Sequence, residues 1–167
     1  MVVKTLNNIL PKSINKAIIT YLVNECSWCV ARDANKSCHD TLINLKSYLG
    51  FTIDTMDVKH HEYLNIYANI IIEKVKEVFN INKKHSRLMW NMYYIGHNGL
   101  PHIDDQDPSS ISIIYNLNTT DGGTKINKKF YPDLEGQAKI FSSNVKHVGF
   151  GPKKDIARFN LNVVLKT

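Results

Sequence analysis

The residues with the clearest chemical potential lie in the second half of the sequence. His102-Ile103-Asp104 sets an imidazole and a carboxylate two positions apart. On a β-strand that spacing points both side chains to one face, as two ligands of one metal ion require. His147, in a strand-like run from Lys146 to Phe150, offers a third ligand if a sheet brings the two runs together. Two histidines and one carboxylate cap one face of an octahedron. The opposite face stays open for a chelating cosubstrate and oxygen, which suits non-haem Fe(II), whereas zinc prefers a closed or nearly closed tetrahedron. Asp105 competes with Asp104 as the ligand, but a residue three positions from His102 faces the other way along a strand, so parity favours Asp104. Asp105 and Asp107 read as solvated loop carboxylates, with Asp107-Pro108 a turn signal.

The last apolar run supports a cavity beside that site. From Arg158 to Leu165, alternation sets Arg158, Asn160 and Asn162 on one face and Phe159, Leu161, Val163 and Leu165 on the other. The apolar face suits packing on helices, which leaves the polar face to line a cavity. A guanidinium there is the bidentate partner of a carboxylate, so a dicarboxylate chelator would reach from metal to arginine. The same alternation also fits an edge strand with Arg158 at the surface.

These residues need a scaffold, and the sequence divides into a helical part, 1–82, and a strand-rich part, 83–167, within one expected domain. Ser13 after Pro11 is the expected cap of a first helix with the stripe Ile14, Ala17, Ile18, Tyr21 and Leu22. A second, Thr41 to Leu49, turns Leu42, Leu45 and Leu49 inward and stops at Gly50. A third runs from Asp57 to Phe79 with Tyr63, Ile66, Tyr67, Ile70, Ile71, Val75 and Val78 on one face, Asp57 as cap and Asn80 as terminator. Past Asn82 the period changes to two. Strands are expected at Arg87 to Tyr94, Ser110 to Leu117, Thr124 to Lys128, Lys139 to Ser142, Lys146 to Phe150 and Ala157 to Leu165. Such a chain predicts an α+β fold with a mainly β core, its helices packed on one sheet of an antiparallel sandwich.

Composition narrows the class. At 167 residues with 43% hydrophobic and 22% charged positions, the chain is an ordinary globular one, not disordered, collagenous or disulfide-stapled. It lacks an apolar stretch long enough to span a bilayer or to serve as a signal peptide, so a cytoplasmic protein without membrane partners is expected. The net charge of +6 is spread over scattered lysines, a weak pull towards nucleic acid. Cys26-x-x-Cys29 followed by Cys38-His39 has a zinc-like spacing. Cys26 and Cys29 also continue the first helical stripe, however, and a free cysteine behaves as a small buried hydrophobe, so packing is the expected role.

Taken in order, Tyr94 and Gly96, His102-x-Asp104, Tyr115-Asn116-Leu117-Asn118, Gly122-Gly123-Thr124, His147 and Arg158 resemble the 2-oxoglutarate and Fe(II)-dependent oxygenase superfamily, within it the prolyl 4-hydroxylase-like branch. The resemblance spans Arg87 to Lys166. It implies a double-stranded β-helix, or jelly roll, holding Fe(II) between His102, Asp104 and His147. Arg158 would bind the far carboxylate of 2-oxoglutarate, Tyr94 would add a hydroxyl to it, and Asn116 and Asn160 would line the same pocket. The implied activity is a dioxygenase that consumes O2 and 2-oxoglutarate, with ascorbate as an accessory reductant, and releases succinate and CO2. Its implied substrate is a peptidyl side chain such as proline in a protein or peptide partner.

Two other readings stand beside it. A nucleobase-demethylating or hydroxylating dioxygenase fits the net charge, but the second arginine of that branch, six positions after the first, is Val164 here. A non-catalytic jelly-roll binding protein fits the fold, but not an intact ligand set. Two departures from the family pattern concern the lid and the substrate: the interval between the histidines is short, and Thr124 follows the double glycine where an acidic or bulky residue is usual. Tyr94 also reads as a core aromatic, because Leu88, Trp90 and Met92 share its face.

Overall fold

A computed structural model describes residues 3–30, 50–54 and 61–167. Its elements are β1 (Lys4–Leu6), α1 (Lys12–Asn24), β2 (Cys29–Val30), β3 (Gly50–Asp54), α2 (Glu62–Phe79), β4 (Lys84–Tyr94), β5 (Ile111–Asn116), β6 (Thr120–Ile126), β7 (Lys129–Asp133), β8 (Ala138–Ser142), β9 (His147–Phe150) and β10 (Ala157–Lys166). The expected helix over 41–49, the Asp57 cap and the Cys38-His39 pair lie outside the described residues. Within them the first part of the chain is not purely helical, since β1, β2 and β3 all join the larger sheet.

That sheet has seven strands in the order β1-β8-β5-β10-β4-β3-β2, and a smaller one has the order β7-β6-β9. Every pairing is antiparallel. Strand β10 lies between β4 and β5, so both its edges are paired within the sheet. Its apolar face, Phe159, Leu161, Val163 and Leu165, packs with Leu88 and Trp90 of β4 against Ile18 and Leu22 of α1 and Leu64, Ile71, Ile72 and Val75 of α2. Fully burying one such side chain contributes roughly 1.5–3 kcal/mol, so this layer holds the helices on the sheet. The opposite face of the large sheet meets the small one, where Ile114 and Phe141 pack with Ile126. The result is an α+β sandwich with a mainly β core.

Both helices differ in detail from expectation. Helix α1 is capped at Pro11, with Ser13 inside the first turn, and its buried residues are Asn15, Ile18 and Leu22. It stops at Asn24, so Cys26 and Cys29 do not continue its stripe. Cys26 lies in the following turn with its Sγ 3.8 Å from His61 Nδ1. Helix α2 buries Leu64, Ala68, Ile71, Ile72 and Val75, whereas Ile66, Ile70 and Val78 are exposed. Apolar residues occur around most of this helix, and sheet contact rather than periodicity selects the buried stripe. Asn80 does terminate it: its left-handed φ of 52° lets the Ile81 N–H reach Lys76 O at 2.9 Å.

The double glycine has a steric cause. A Cβ on Gly123 would fall 2.6 Å from Tyr131 O, and one on Gly122 would fall 2.7 Å from Phe150 O. Only bare backbone lets β6 pass this closely between β7 and β9.

Candidate metal and cosubstrate site

The segment before β5 runs beside β9. His102 and His147 form an isolated antiparallel bridge, with His102 N–H donating to His147 O at 2.9 Å and His147 N–H to His102 O at 2.8 Å. Opposed residues in such a bridge project to one side. Asp104, two positions on, shares that side as its N–H donates to Ser143 O at 2.9 Å. One ligand atom from each of His102, Asp104 and His147 therefore lies within 4.8 Å of the other two. His102 Nε2 is 3.4 Å from Asp104 Oδ1, and His147 Nε2 is 3.5 Å from Asp104 Oδ2.

The imidazoles are oriented from behind. His102 Nδ1 meets Leu100 O at 2.7 Å and His147 Nδ1 meets Val145 O at 2.9 Å. A carbonyl can only accept, so each Nδ1 carries the hydrogen and each ring turns its Nε2 to the centre. Burial is the main influence on His147 and lowers its pKa, against the pull of Asp104, which favours the neutral ring. Its Nε2 is buried and has no hydrogen-bond partner. An unsatisfied buried acceptor is costly, and a metal ion between the three side chains would satisfy it. The donor set fits Fe(II).

Asp104 is held on both oxygens. Ser112 Oγ donates to Oδ2 at 2.5 Å and is itself 2.9 Å from Ser143 Oγ. Arg87 of β4 pairs with Oδ1 and donates to Asn162 Oδ1 at 2.9 Å. Burial pushes the carboxyl up, but His102, Arg87, His147 and Ser112 outweigh it and hold it well below the usual carboxylate range. Asp104 is therefore ionised, the state in which a carboxylate could ligate a metal. Asp105 faces elsewhere, 2.7 Å from Lys166 Nζ. The His102 side chain is 39% exposed and that of His147 only 2%, so the centre opens on the His102 side.

Deeper between the sheets lies Arg158, 1% exposed. Its Nη2 donates to Thr124 Oγ1 at 2.8 Å, and its Nε is 2.7 Å from Asp133 Oδ2. It is a buried residue of an inner strand and not an edge-strand surface group. The ring centroid of Tyr93 lies 4.9 Å from its guanidinium carbon, because Tyr93 is its cross-strand partner on β4. A Cβ on Gly149 would fall 2.8 Å from both Arg158 Nη1 and the Tyr93 hydroxyl, so this glycine leaves the recess open. Asn160 accepts from Asn91 Nδ2 at 3.2 Å while its own Nδ2 is buried without a partner. The Asn116 amide donates to Asp133 Oδ1 at 3.0 Å and accepts from Lys139 Nζ at 2.9 Å.

Tyr94 does not take the place expected of it. It is 42% exposed, at the end of the face on which Leu88 and Trp90 are buried, and the inward tyrosine is Tyr93. Burial raises the Tyr93 phenol, with Arg158 opposing, so its hydroxyl stays protonated. Parity carried this signal: if Leu88, Trp90 and Met92 form the core face, Arg87, Asn91 and Tyr93 face the cavity. Asp133, Lys139, Ser112 and Arg87 carry no signal of their own in the sequence, because their residue types and spacing match no ligand or recognition pattern.

No protein-family model and no curated protein matches the sequence. Solved structures do match its fold. A Pseudomonas putida prolyl-4-hydroxylase superposes with a TM-score of 0.72 at 13% identity, over 99% of this chain and 92% of that one. A Trichoplax adhaerens prolyl hydroxylase, in complex with a hypoxia inducible factor oxygen degradation domain peptide fragment, gives 0.69 at 15% identity over 98% and 82%. SnoN, a non-haem α-ketoglutarate-dependent epimerase from nogalamycin biosynthesis, gives 0.71 at 8% identity over 98% and 77%. The chain thus has the double-stranded β-helix fold of the 2-oxoglutarate/Fe(II)-dependent oxygenases, prolyl 4-hydroxylases among them.

Proposed function

We propose that the protein is an Fe(II)- and 2-oxoglutarate-dependent dioxygenase that hydroxylates a peptidyl side chain, proline foremost. The observation that carries this reading is the partnerless, buried Nε2 of His147, turned towards Asp104 and His102, with Arg158 buried on the same face of β10 as Asn162, which contacts Arg87. His102, Asp104 and His147 would hold the iron, with the two backbone carbonyls fixing ring orientation and Ser112 and Arg87 fixing the carboxylate. Bound there, Fe(II) with 2-oxoglutarate and O2 supplies the oxidising chemistry: one oxygen atom goes to succinate as CO2 leaves, the other to the substrate C–H as a hydroxyl.

The chain itself binds, orients and excludes water. Arg158 receives the far carboxylate, with the Tyr93 hydroxyl as a second donor and the free Nδ2 of Asn160 along the way. Because Arg158 and Thr124 are buried, the far carboxylate is oriented in a water-poor space, where its charge is recognised strongly. The peptidyl reading draws on the prolyl hydroxylase neighbours, one of them bound to a peptide. The exposed Tyr94, Ile95 and Ile103 support it: they lie in the segment leading to and between the first two ligands and offer apolar contact to a ring such as that of proline.

The test is turnover. Purified protein with Fe(II), ascorbate and 2-oxoglutarate should release succinate and CO2, with release stimulated by a proline-containing peptide from a panel and a mass gain of one oxygen on that peptide. Stimulation by methylated oligonucleotides alone would replace the peptidyl reading with the nucleobase one, and no succinate under any condition would refute both.

A further inference from the structure

The interior beyond the metal ligands contains more charge than a single arginine needs. Lys139 of β8 and Asp133 of β7 are wholly buried, next to Arg158. Asp133 accepts from Lys139 Nζ at 3.1 Å, from Thr120 Oγ1 at 3.2 Å and from the Asn116 amide at 3.0 Å, with Arg158 Nε 2.7 Å away. Buried ions are expensive and are ordinarily matched. Among the described residues they are not: two cations, Lys139 and Arg158, face one carboxylate, which leaves a single positive charge in this cluster. Nearer the metal ligands, Arg87 and Asp104 already neutralise each other.

We infer that this surplus charge is the recognition element for the cosubstrate. Lys139 and Asp133, without touching it, hold the recess at a net charge of +1, so that it takes a 2-oxo acid whose far end is one carboxylate. Asp133 also aims the arginine. With Nε beside Asp133 and Nη2 on Thr124, Nη1 is left facing the gap that Gly149 keeps open beside the Tyr93 hydroxyl. Lys139 and Asp133 are thus positioning residues. The inference rests on the cosubstrate reading above and names what makes it selective.

A charge ladder tests it. Mn(II)-loaded protein is titrated without oxygen by calorimetry with 2-oxoglutarate and with 2-oxoglutaramate, whose terminal amide is uncharged. Lys139→Met removes the surplus; 2-oxoglutarate affinity should fall roughly tenfold or more while the amide binds as well as or better than to wild type. The double variant Asp133→Asn/Lys139→Met leaves Arg158 alone, again with one positive charge, and should recover most of the lost 2-oxoglutarate affinity. Lys139→Arg should bind like wild type.

A merely structural cluster predicts the opposite: equal losses for both acids and a double variant worse than either single one. Either result overturns the inference. If Lys139→Met does not fold, the folded double variant decides, since failure to bind 2-oxoglutarate there is equally fatal. Wild type that binds 2-oxoglutarate alongside an unaffected Lys139→Met sinks only the inference. Wild type that binds neither acid sinks the cosubstrate reading and the inference with it.

Discussion

Gly149→Ala puts the geometry of the recess to a direct test. The new methyl group would sit 2.8 Å from Arg158 Nη1, 2.8 Å from the Tyr93 hydroxyl and 2.9 Å from Tyr93 Cζ, all well inside van der Waals contact. Neither neighbour yields easily, because Arg158 is held at Thr124 and Asp133 and the Tyr93 ring lies over the guanidinium. Overpacking of this kind costs about 1–3 kcal/mol, and the displaced side chains are the two proposed to grip the far carboxylate. If most of that cost appears in the recess, 2-oxoglutarate affinity falls by roughly 5- to 150-fold, while the metal ligands keep their geometry. Anaerobic titration of Fe(II)-loaded protein, followed by the metal-to-ligand absorption band, gives both affinities. A folded alanine variant with wild-type 2-oxoglutarate affinity would refute the placement of the cosubstrate between Tyr93, Gly149 and Arg158.

Arg158→Ala should leave iron affinity within a few-fold yet weaken 2-oxoglutarate by about 2–4 kcal/mol in the same titration. Arg158→Lys should recover only part of that, because an ammonium lacks the fork geometry of the guanidinium. His102→Ala, Asp104→Ala and His147→Ala should each abolish stoichiometric Fe(II) binding measured by metal analysis after desalting, whereas Asp105→Ala should bind iron normally. Burial pulls the Lys139 ammonium down to about 8, against the raising pull of Asp133. As pH rises through that value the lysine loses its charge and the recess its surplus, so 2-oxoglutarate affinity should be full below about 8 and fall above it. Lys139→Arg should remove that dependence, as affinities measured on either side of this pH will show.

What the sequence reveals about this fold depends on whether a position's partner is local. Parity along β10 separates Phe159, Leu161, Val163 and Leu165 from Arg158 and Asn160, and the packing follows that division, because the helices cover one face of the large sheet and the small sheet the other. His102 and Asp104 share a side for the same reason. Parity also points to Tyr93, but the spacing of Tyr94 to Gly96 suggests its neighbour, and the neighbour is at the surface. The buried face of α2 is not legible, because Ile66 and Ile70 are as apolar as Leu64 and Ala68, and only the sheet below chooses between them. Strand β7 contains Pro132 and is largely exposed, so it lacks the alternation that marks a strand. The Asp133 and Lys139 pair joins two sheets although only six positions separate the residues, and neither helical nor strand spacing marks it.

On the proposed reading, His102, Asp104 and His147 hold one Fe(II), which 2-oxoglutarate chelates. Stepwise anaerobic addition of Fe(II) and then 2-oxoglutarate to the wild-type protein and to His147→Ala, followed by visible absorption, tests it most directly. The expected result is a metal-to-ligand charge-transfer band that saturates at one iron and one 2-oxoglutarate per chain and is absent from the folded His147→Ala variant. A folded wild-type protein that develops no band, or a band that survives His147→Ala undiminished, would contradict it.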